Sequence, residues 1–476
     1  MARVVITGTQ LTTLDVGRVA RSGVEVHIAD AATGRATRAW ETVREVAARQ
    51  PVYGRTTGVG ANRLDQPGDE RHGLRLLRSH AGGAGPLLEP ALGRAMLVVR
   101  LNQLAAGGAG VEPALLGVLA DALNRGLVPS VYSLGGIGTG DLTALASTAL
   151  CVLGERPWLG GTLPPYPLDP ADALAFISSN AATVGEACLA LVDLRRLLDA
   201  SVVVAALAFL AVNGSAEPYA PAVHAARPHP GQRDVAARMR QLVGGSGAPA
   251  ARIQDPYSYR AIPQVHGPAI DACRSLDRVL AIEMNAACEN PLVDVAGRTV
   301  VHNGNFHGAY VALALDAVRA ALYSTAALSS ARLSTLMEPA YTGLRPFLAD
   351  GPAGSSGAMI LEYVAQSALA DLRQHAGPTA LATAVVSRGV EEHAAFSAQA
   401  ARNLSDVVTA YRVLLSCELV AAVRALRLHG DVRATGRLAK ALRRATEVLD
   451  PRTEDRPLDD DLNAAATLLP SLAHRP

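Results

Sequence analysis

Apolar residues recur at helical spacing along most of the chain, and strand-like sequence is confined to the opening VVITG run at 4–8. From there to residue 49 the chain reads as polar, helix-compatible turns, then as a glycine-punctuated loop, PVYGRTTGVG, at 51–60. An amphipathic helix ends at Ser79-His80, and helix-compatible sequence resumes from Ala91 to Leu123. Residues 169–212 read as almost unbroken helix, most apolar from Ser201 to Val212. Arg195, Arg196 and Asp199 bound that part on one side and Asn213-Gly214 on the other, leaving 12 residues uninterrupted. A membrane span needs ~20, so this helix belongs at the centre of a bundle or an oligomer. Residues 216–251, rich in Pro, Ala, Gly and Arg, predict a surface excursion. The polar string QDPYSYRAIPQVHG at 254–267, with two prolines, is not expected to be core helix. Helical patterns run over 308–335, 358–376 and 393–429, split by a GPAGSSG loop at 351–357, and the tail from Thr446 is polar and less patterned. The pattern predicts a mainly α chain.

Composition sharpens this. Apolar residues make up 49% of the 476 and aromatics only 4%, so the core is built from Ala, Leu and Val, which favours closely packed helices. A net charge of +1 without basic or acidic blocks argues against nucleic acid or a membrane surface as partner. The five cysteines are scattered without a CxxC pair and read as reduced core thiols of a cytoplasmic protein. MARVVITGTQ is too short and polar for a signal peptide. Lys440 is the sole lysine, which leaves neither a Schiff-base lysine for pyridoxal nor a P-loop lysine outside one C-terminal helix.

The candidate chemistry gathers at VYSLGGIGTGDLTALAS, 131–147, where Gly135, Gly136, Gly138 and Gly140 crowd around Thr139 ahead of Asp141 and an apolar helix-forming run. Glycines on both sides of a hydroxyl residue let the backbone fold until the Gly140 nitrogen reaches the Gly138 carbonyl. Loss of two waters would leave a five-membered imidazolone carrying an alkene made from the Thr139 side chain. A helix starting behind such an electrophile favours negative charge developing on it. A dinucleotide loop would need a preceding strand in a βαβ unit and an acidic residue about 20 positions on, whereas DALNRGLVPSVYS reads as a helix end and a turn. An ordinary glycine-rich turn is the other reading of this stretch alone.

Five further stretches decide between them. The 131–147 stretch resembles the prosthetic-group loop of the histidine, phenylalanine and tyrosine ammonia-lyases, G-S-V-G-A-S-G-D-L-A-P-L, with Gly138-Thr139-Gly140 where that family has Ala-Ser-Gly. PVYGRTTGVG resembles its V-Y-G-x-N-T-G-F-G, Ser79-His80 is similar to the Ser-His of histidine lyases, and QDPYSYRAIPQVHG nearly repeats Q-D-x-Y-S-L-R-x-x-P-Q-V-x-G. Residues 283–307 resemble E-x-N-S-x-x-D-N-P-L-V … G-N-F-H, and Val390-Glu391-Glu392-His393 resembles Q-E-D-H. Asn213-Gly214 matches the N-G of N-G-T or N-G-S, although a helix-capping asparagine explains it equally.

The resemblance covers about residues 5 to 430 and implies the mainly α ammonia-lyase/fumarase-like fold: a loop-bearing N-terminal domain at 1–170, a long central helical bundle at 171–430 and a short C-terminal helical tail at 431–476, in homotetramers whose active sites draw on several subunits. It implies Tyr53 as the base, poised as phenolate by positive electrostatics, and Arg260 on the substrate carboxylate with Asn213 helping to orient it. Gln254, Tyr257 and Phe306 line the prosthetic group, and His80, Met359 and Glu391 face the substrate side chain. Threonine in the triad implies an ethylidene form of the usual methylidene-imidazolone, with neither pyridoxal nor metal. The His302/His307 pair lacks an HExxH or nearby cysteine for zinc. The expected reaction is elimination of ammonia from an aromatic L-amino acid, histidine first, with phenylalanine or tyrosine lyase and 2,3-aminomutase as alternatives. A silent homologue with an uncyclised loop is the alternative from another class.

Overall fold

The computed structural model describes residues 3–66, 68–69, 71–244, 250–430 and 434–473. Helix dominates, as the apolar spacing implies. Two compact units contain the chain, each assembled from three segments.

The first unit comprises Met1–Val192, Leu276–Asp316 and Pro378–Arg402. Its described residues form four two-stranded sheets, all short. Val4–Ile6 runs parallel to Val26–Ile28, and Ala84–Leu87 pairs antiparallel with Tyr132–Leu134. Val128–Pro129 pairs with Trp158–Leu159, and Leu292–Asp294 with Thr299–Val301. Around them pack Thr13–Ser22, Asp30–Ala47 and the buried helix Pro90–Ala105.

The 169–212 stretch departs from its expectation. A 3-10 turn at Pro170–Asp172 and a short helix Ala173–Ile177 precede a break at 178–180, and only then does the helix Ala181–Ala211 begin. The break has a chemical cause. Ser178-Ser179-Asn180 is a run of helix-capping residues, and the Ser179 hydroxyl accepts from the Ala181 N–H at 2.9 Å. Beyond it the apolar part is buried within one chain, Val202 to Phe209 being at most 5% exposed. That helix therefore needs no partner subunit to cover it.

The second unit comprises Asp193–Ser275, Ala317–Gly377 and Asn403–Pro476. Its core includes a buried ion pair, Arg332 with Glu418 (Nη2 to Oε2, 2.8 Å). The Tyr219 hydroxyl donates to the Tyr259 carbonyl at 2.8 Å, and the hydroxyls of Tyr259 and Thr335 bond at 2.7 Å. The expected surface excursion is instead partly core. It forms the helices Pro221–Ala226 and Pro230–Val243, the latter burying Val235, Ala236 and Met239, while 245–249 lie outside the described residues. The polar string also ends in helix, since Ile262–Glu283 begins within it. Pro263 falls in the first helical turn, where a missing N–H costs nothing.

One helix among the described residues, Ala309–Leu336, is long and apolar enough to cross a membrane by length and composition. It carries Arg319 and Arg332 fully buried, the mark of a bundle's core helix.

Candidate active site

In the first unit, strand Tyr132–Leu134 delivers the chain into the glycine loop. Gly138 (φ +89°) and Gly140 (φ +107°) adopt backbone conformations that side-chain-bearing residues avoid. Four backbone contacts then pin the loop. The Ile137 carbonyl accepts from the Phe396 N–H at 2.8 Å and the Gly138 carbonyl from the Gly308 N–H at 2.9 Å. The Gly140 N–H donates to Asn180 Oδ1 at 3.1 Å, and the Asp141 N–H to the Ser179 carbonyl at 2.7 Å. The Asn180 amide also donates to the Phe306 carbonyl, so one buried side chain ties the loop to the GNFH stretch. The carbonyl and the nitrogen that ring closure would join are thus each held by a separate partner. Behind them Asp141 precedes the helix Leu142–Val152, and its buried carboxylate accepts from the Thr183 N–H (2.8 Å) and hydroxyl (3.0 Å). Burial pushes its carboxyl up against those two donors.

Tyr53 lies in the same unit, on a loop fixed by a buried ion pair between Arg55 and Asp172. Its hydroxyl accepts from the Gly60 N–H at 2.7 Å, and its ring meets His302 edge-on, with centroids 6.4 Å apart. The segment before residue 397 closes over this loop, where the Ser387 hydroxyl accepts from the Ala61 N–H at 3.0 Å. The expected positive electrostatics around Tyr53 are not found. Burial and then the Glu391 carboxylate push its phenol above the usual value, outweighing the Gly60 N–H and Arg63. The hydroxyl is therefore neutral at pH 7 in the isolated chain. His80 ends the helix His72–His80, with Nδ1 2.9 Å from the Leu76 carbonyl. A proton on Nδ1 donates there and leaves Nε2 as an acceptor.

The second unit gathers Gln254, Tyr257 and Arg260 along one cleft with Ser215, Asp255 and Gln264. The Arg260 guanidinium stacks on Tyr257, 4.4 Å from the ring centroid, and its buried Nε has no partner among the described residues. Met359 stands half-buried at the start of Ile360–Ala376. Asn213 is exposed at the end of Ala181–Ala211 with φ +49°, the geometry of a helix-capping asparagine. Among the described residues no group of three or more His, Cys, Asp or Glu side chains could hold a metal ion.

Asn180, Gly308 and the Phe396 N–H were not singled out from the sequence. Ser178-Ser179-Asn180 ahead of an apolar run is the helix-start signal that could have exposed the first. The other two act through backbone N–H groups, which leave no signature in residue type.

The mainly helical chain thus holds a clamped Gly-Thr-Gly loop and a half-buried phenol in one unit, and an open arginine cleft in the other. The aromatic amino acid lyase family model matches residues 11–448, and the chain belongs to that family. A probable histidine ammonia-lyase of Halobacterium salinarum is 36% identical over 510 residues, covering 98% of this chain and 96% of that one. Among solved structures, a tyrosine aminomutase from Streptomyces globisporus superposes with a TM-score of 0.92 at 29% identity, over 99% of this chain and 97% of that one. Ergothionase from Treponema denticola, an ergothioneine-degrading enzyme, gives 0.92 at 26%, over 99% of both. The chain is accordingly an ammonia-lyase by class.

Proposed function

We propose that the enzyme eliminates ammonia from an aromatic L-amino acid with an imidazole-like side chain, L-histidine first, using an imidazolone formed from Gly138-Thr139-Gly140. The observation that carries this reading is the pair of clamps on the loop, Gly308 on the Gly138 carbonyl and Asn180 on the Gly140 nitrogen. The residues fit the group at position 138 as well. A Cβ there would stand 2.8 Å from the backbone nitrogens of Phe396 and Ser397, so glycine replaces the family's alanine where a neighbouring segment fills the methyl's place.

Such a ring supplies an electrophile that captures the substrate amine and makes it a better leaving group without lysine or pyridoxal. The chain's own residues do the rest. Tyr53 takes the β-proton, and the Gly60 N–H on its oxygen stabilises the phenolate once it forms. Because burial and Glu391 hold the phenol up, ionisation requires cationic charge brought by substrate or by assembly. Arg260 grips the α-carboxylate with its planar fork, and Asn213 helps to orient that group. Gln254, Tyr257 and Phe306 line the ring's surroundings, and Met359 and Glu391 face the side chain. His80 Nε2 accepts the hydrogen bond an imidazole N–H offers and a phenyl ring does not.

We assign these two halves to a site completed in a homotetramer. Large apolar side chains that one chain leaves open support assembly: Ile253 is 94% exposed, Tyr310 77%, Tyr257 70% and Leu381 84%. A cytoplasmic location fits five free, buried cysteines. Comparing kcat/KM for L-histidine, L-tyrosine and L-phenylalanine tests the substrate. Histidine is expected to lead, and a clear lead for phenylalanine would overturn the ranking.

A further inference from the structure

Ser397 has a hydroxyl that does nothing visible in the folded chain. The residue is fully buried, and its Oγ has no hydrogen-bond partner among the described residues. Buried hydroxyls in native proteins are nearly always paired, so an unpaired one calls for a partner in some other state of the molecule. Its position says which. A Cβ on Gly138 would stand 2.9 Å from this oxygen, and one on Gly308 would overlap it while lying 3.3 Å from the Gly138 carbonyl oxygen. The hydroxyl therefore borders the same small space as the Gly138 carbonyl, which the Gly308 N–H already approaches at 2.9 Å. An alanine at 397 would fill that space without leaving a polar atom unpaired.

We propose that Ser397 is a maturation residue: with the Gly308 N–H it polarises the Gly138 carbonyl for attack by the Gly140 nitrogen. The proposal rests on the reading that 138–140 cyclises. In the first step the nitrogen lone pair forms a bond to the Gly138 carbonyl carbon, and the π pair moves onto the oxygen. That oxygen gains the proton the nitrogen gives up. Ser397 donates a hydrogen bond to the oxygen as its charge builds and ends the step unchanged. The resulting hydroxyl leaves with the Thr139 amide hydrogen as the first water, forming a C=N bond. The Thr139 hydroxyl leaves with the Cα hydrogen as the second, forming the alkene. Electrons balance without oxidant or reductant. In the mature ring the Gly138 oxygen is gone, so Ser397 matters to how fast the ring forms and not to turnover once it exists.

Ser397→Ala removes one oxygen from a tightly packed site and leaves the backbone contacts in place. Wild type and variant are expressed, translation is blocked, and intact mass of the denatured chain is followed with time. The variant is expected to lose its two waters on the order of 10²-fold more slowly, with wild-type melting temperature. Once fully matured, its kcat is expected to equal that of wild type. Equal maturation rates would overturn the proposal. If Ser397→Ala lowers the melting temperature, Ser397→Cys, a weaker donor, is read instead: a slowed loss supports the role and an unchanged one overturns it. A wild-type chain that keeps its full mass would bring down the cyclisation reading itself, and this proposal with it.

Discussion

Asn180→Ala tests whether one side chain holds the reactive loop in shape. The substitution removes the acceptor of the buried Gly140 N–H and the donor to the Phe306 carbonyl together. Leaving a buried polar group without its partner costs about 1–3 kcal/mol, so the two losses sum to roughly 2–6 kcal/mol against the clamped geometry. The start of the following helix is spared, because Val184 bonds the Asn180 backbone carbonyl and Ala181 bonds the Ser179 hydroxyl. The cost should therefore appear locally. Hydrogen exchange read on peptides spanning 135–147 should speed up by about 30-fold or more, at roughly 1.4 kcal/mol per tenfold change. Exchange beyond residue 147, in the rest of the helix Leu142–Val152, should change least, its helical ladder being intact. Intact mass should show part of the chain uncyclised. Unchanged exchange at 135–147 together with complete maturation would refute the idea that Asn180 positions the loop.

The remaining expectations concern the two halves of the site. Tyr53→Phe leaves the Gly60 N–H without its acceptor and removes the base, so turnover should fall by ~10²–10⁴-fold with folding intact; wild-type turnover would exclude Tyr53. Glu391→Gln removes a carboxylate that holds the Tyr53 phenol up. The ionised phenol is the active form, so the acid limb of kcat/KM should move to lower pH, by less than about one unit for an exposed charge in water. A limb that stays put, or moves up, would dissociate Glu391 from the base. Arg260→Lys keeps the charge and loses the fork, so KM should rise more than kcat falls. If amines without a carboxylate bind as well as amino acids, that assignment is wrong.

The fold class and the six motif stretches were legible from the chain because apolar spacing and residue type carry them directly. What escaped was set by groups without a side-chain signature or by local chemistry overriding pattern. The 169–212 run has helical spacing throughout, yet three capping residues at 178–180 stop it and turn Asn180 onto the Gly140 nitrogen. Pro263 suggested a non-helical string and instead sits in a helix's first turn, where proline is at home. At Tyr53, residue type announces Arg63 and Glu391 equally. Only their placement, with burial added, decides that the phenol is pushed up. Gly138 stands where the family has alanine, and a reason for it, the backbone of Phe396 and Ser397 at 2.8 Å from a Cβ, exists only in three dimensions.

The central claim is that Gly138-Thr139-Gly140 closes into the ring on which the proposed chemistry depends. The intact mass of the purified chain, with fragmentation across 131–147, addresses it most directly. Wild type is expected to be two waters lighter than its sequence, with the loss confined to 138–140, and Thr139→Ser to show the same deficit. Thr139→Ala, which has no hydroxyl to eliminate, should never reach that deficit and should be inactive. A folded wild-type chain at its full sequence mass would contradict the claim and leave a lyase-family protein whose loop stays open.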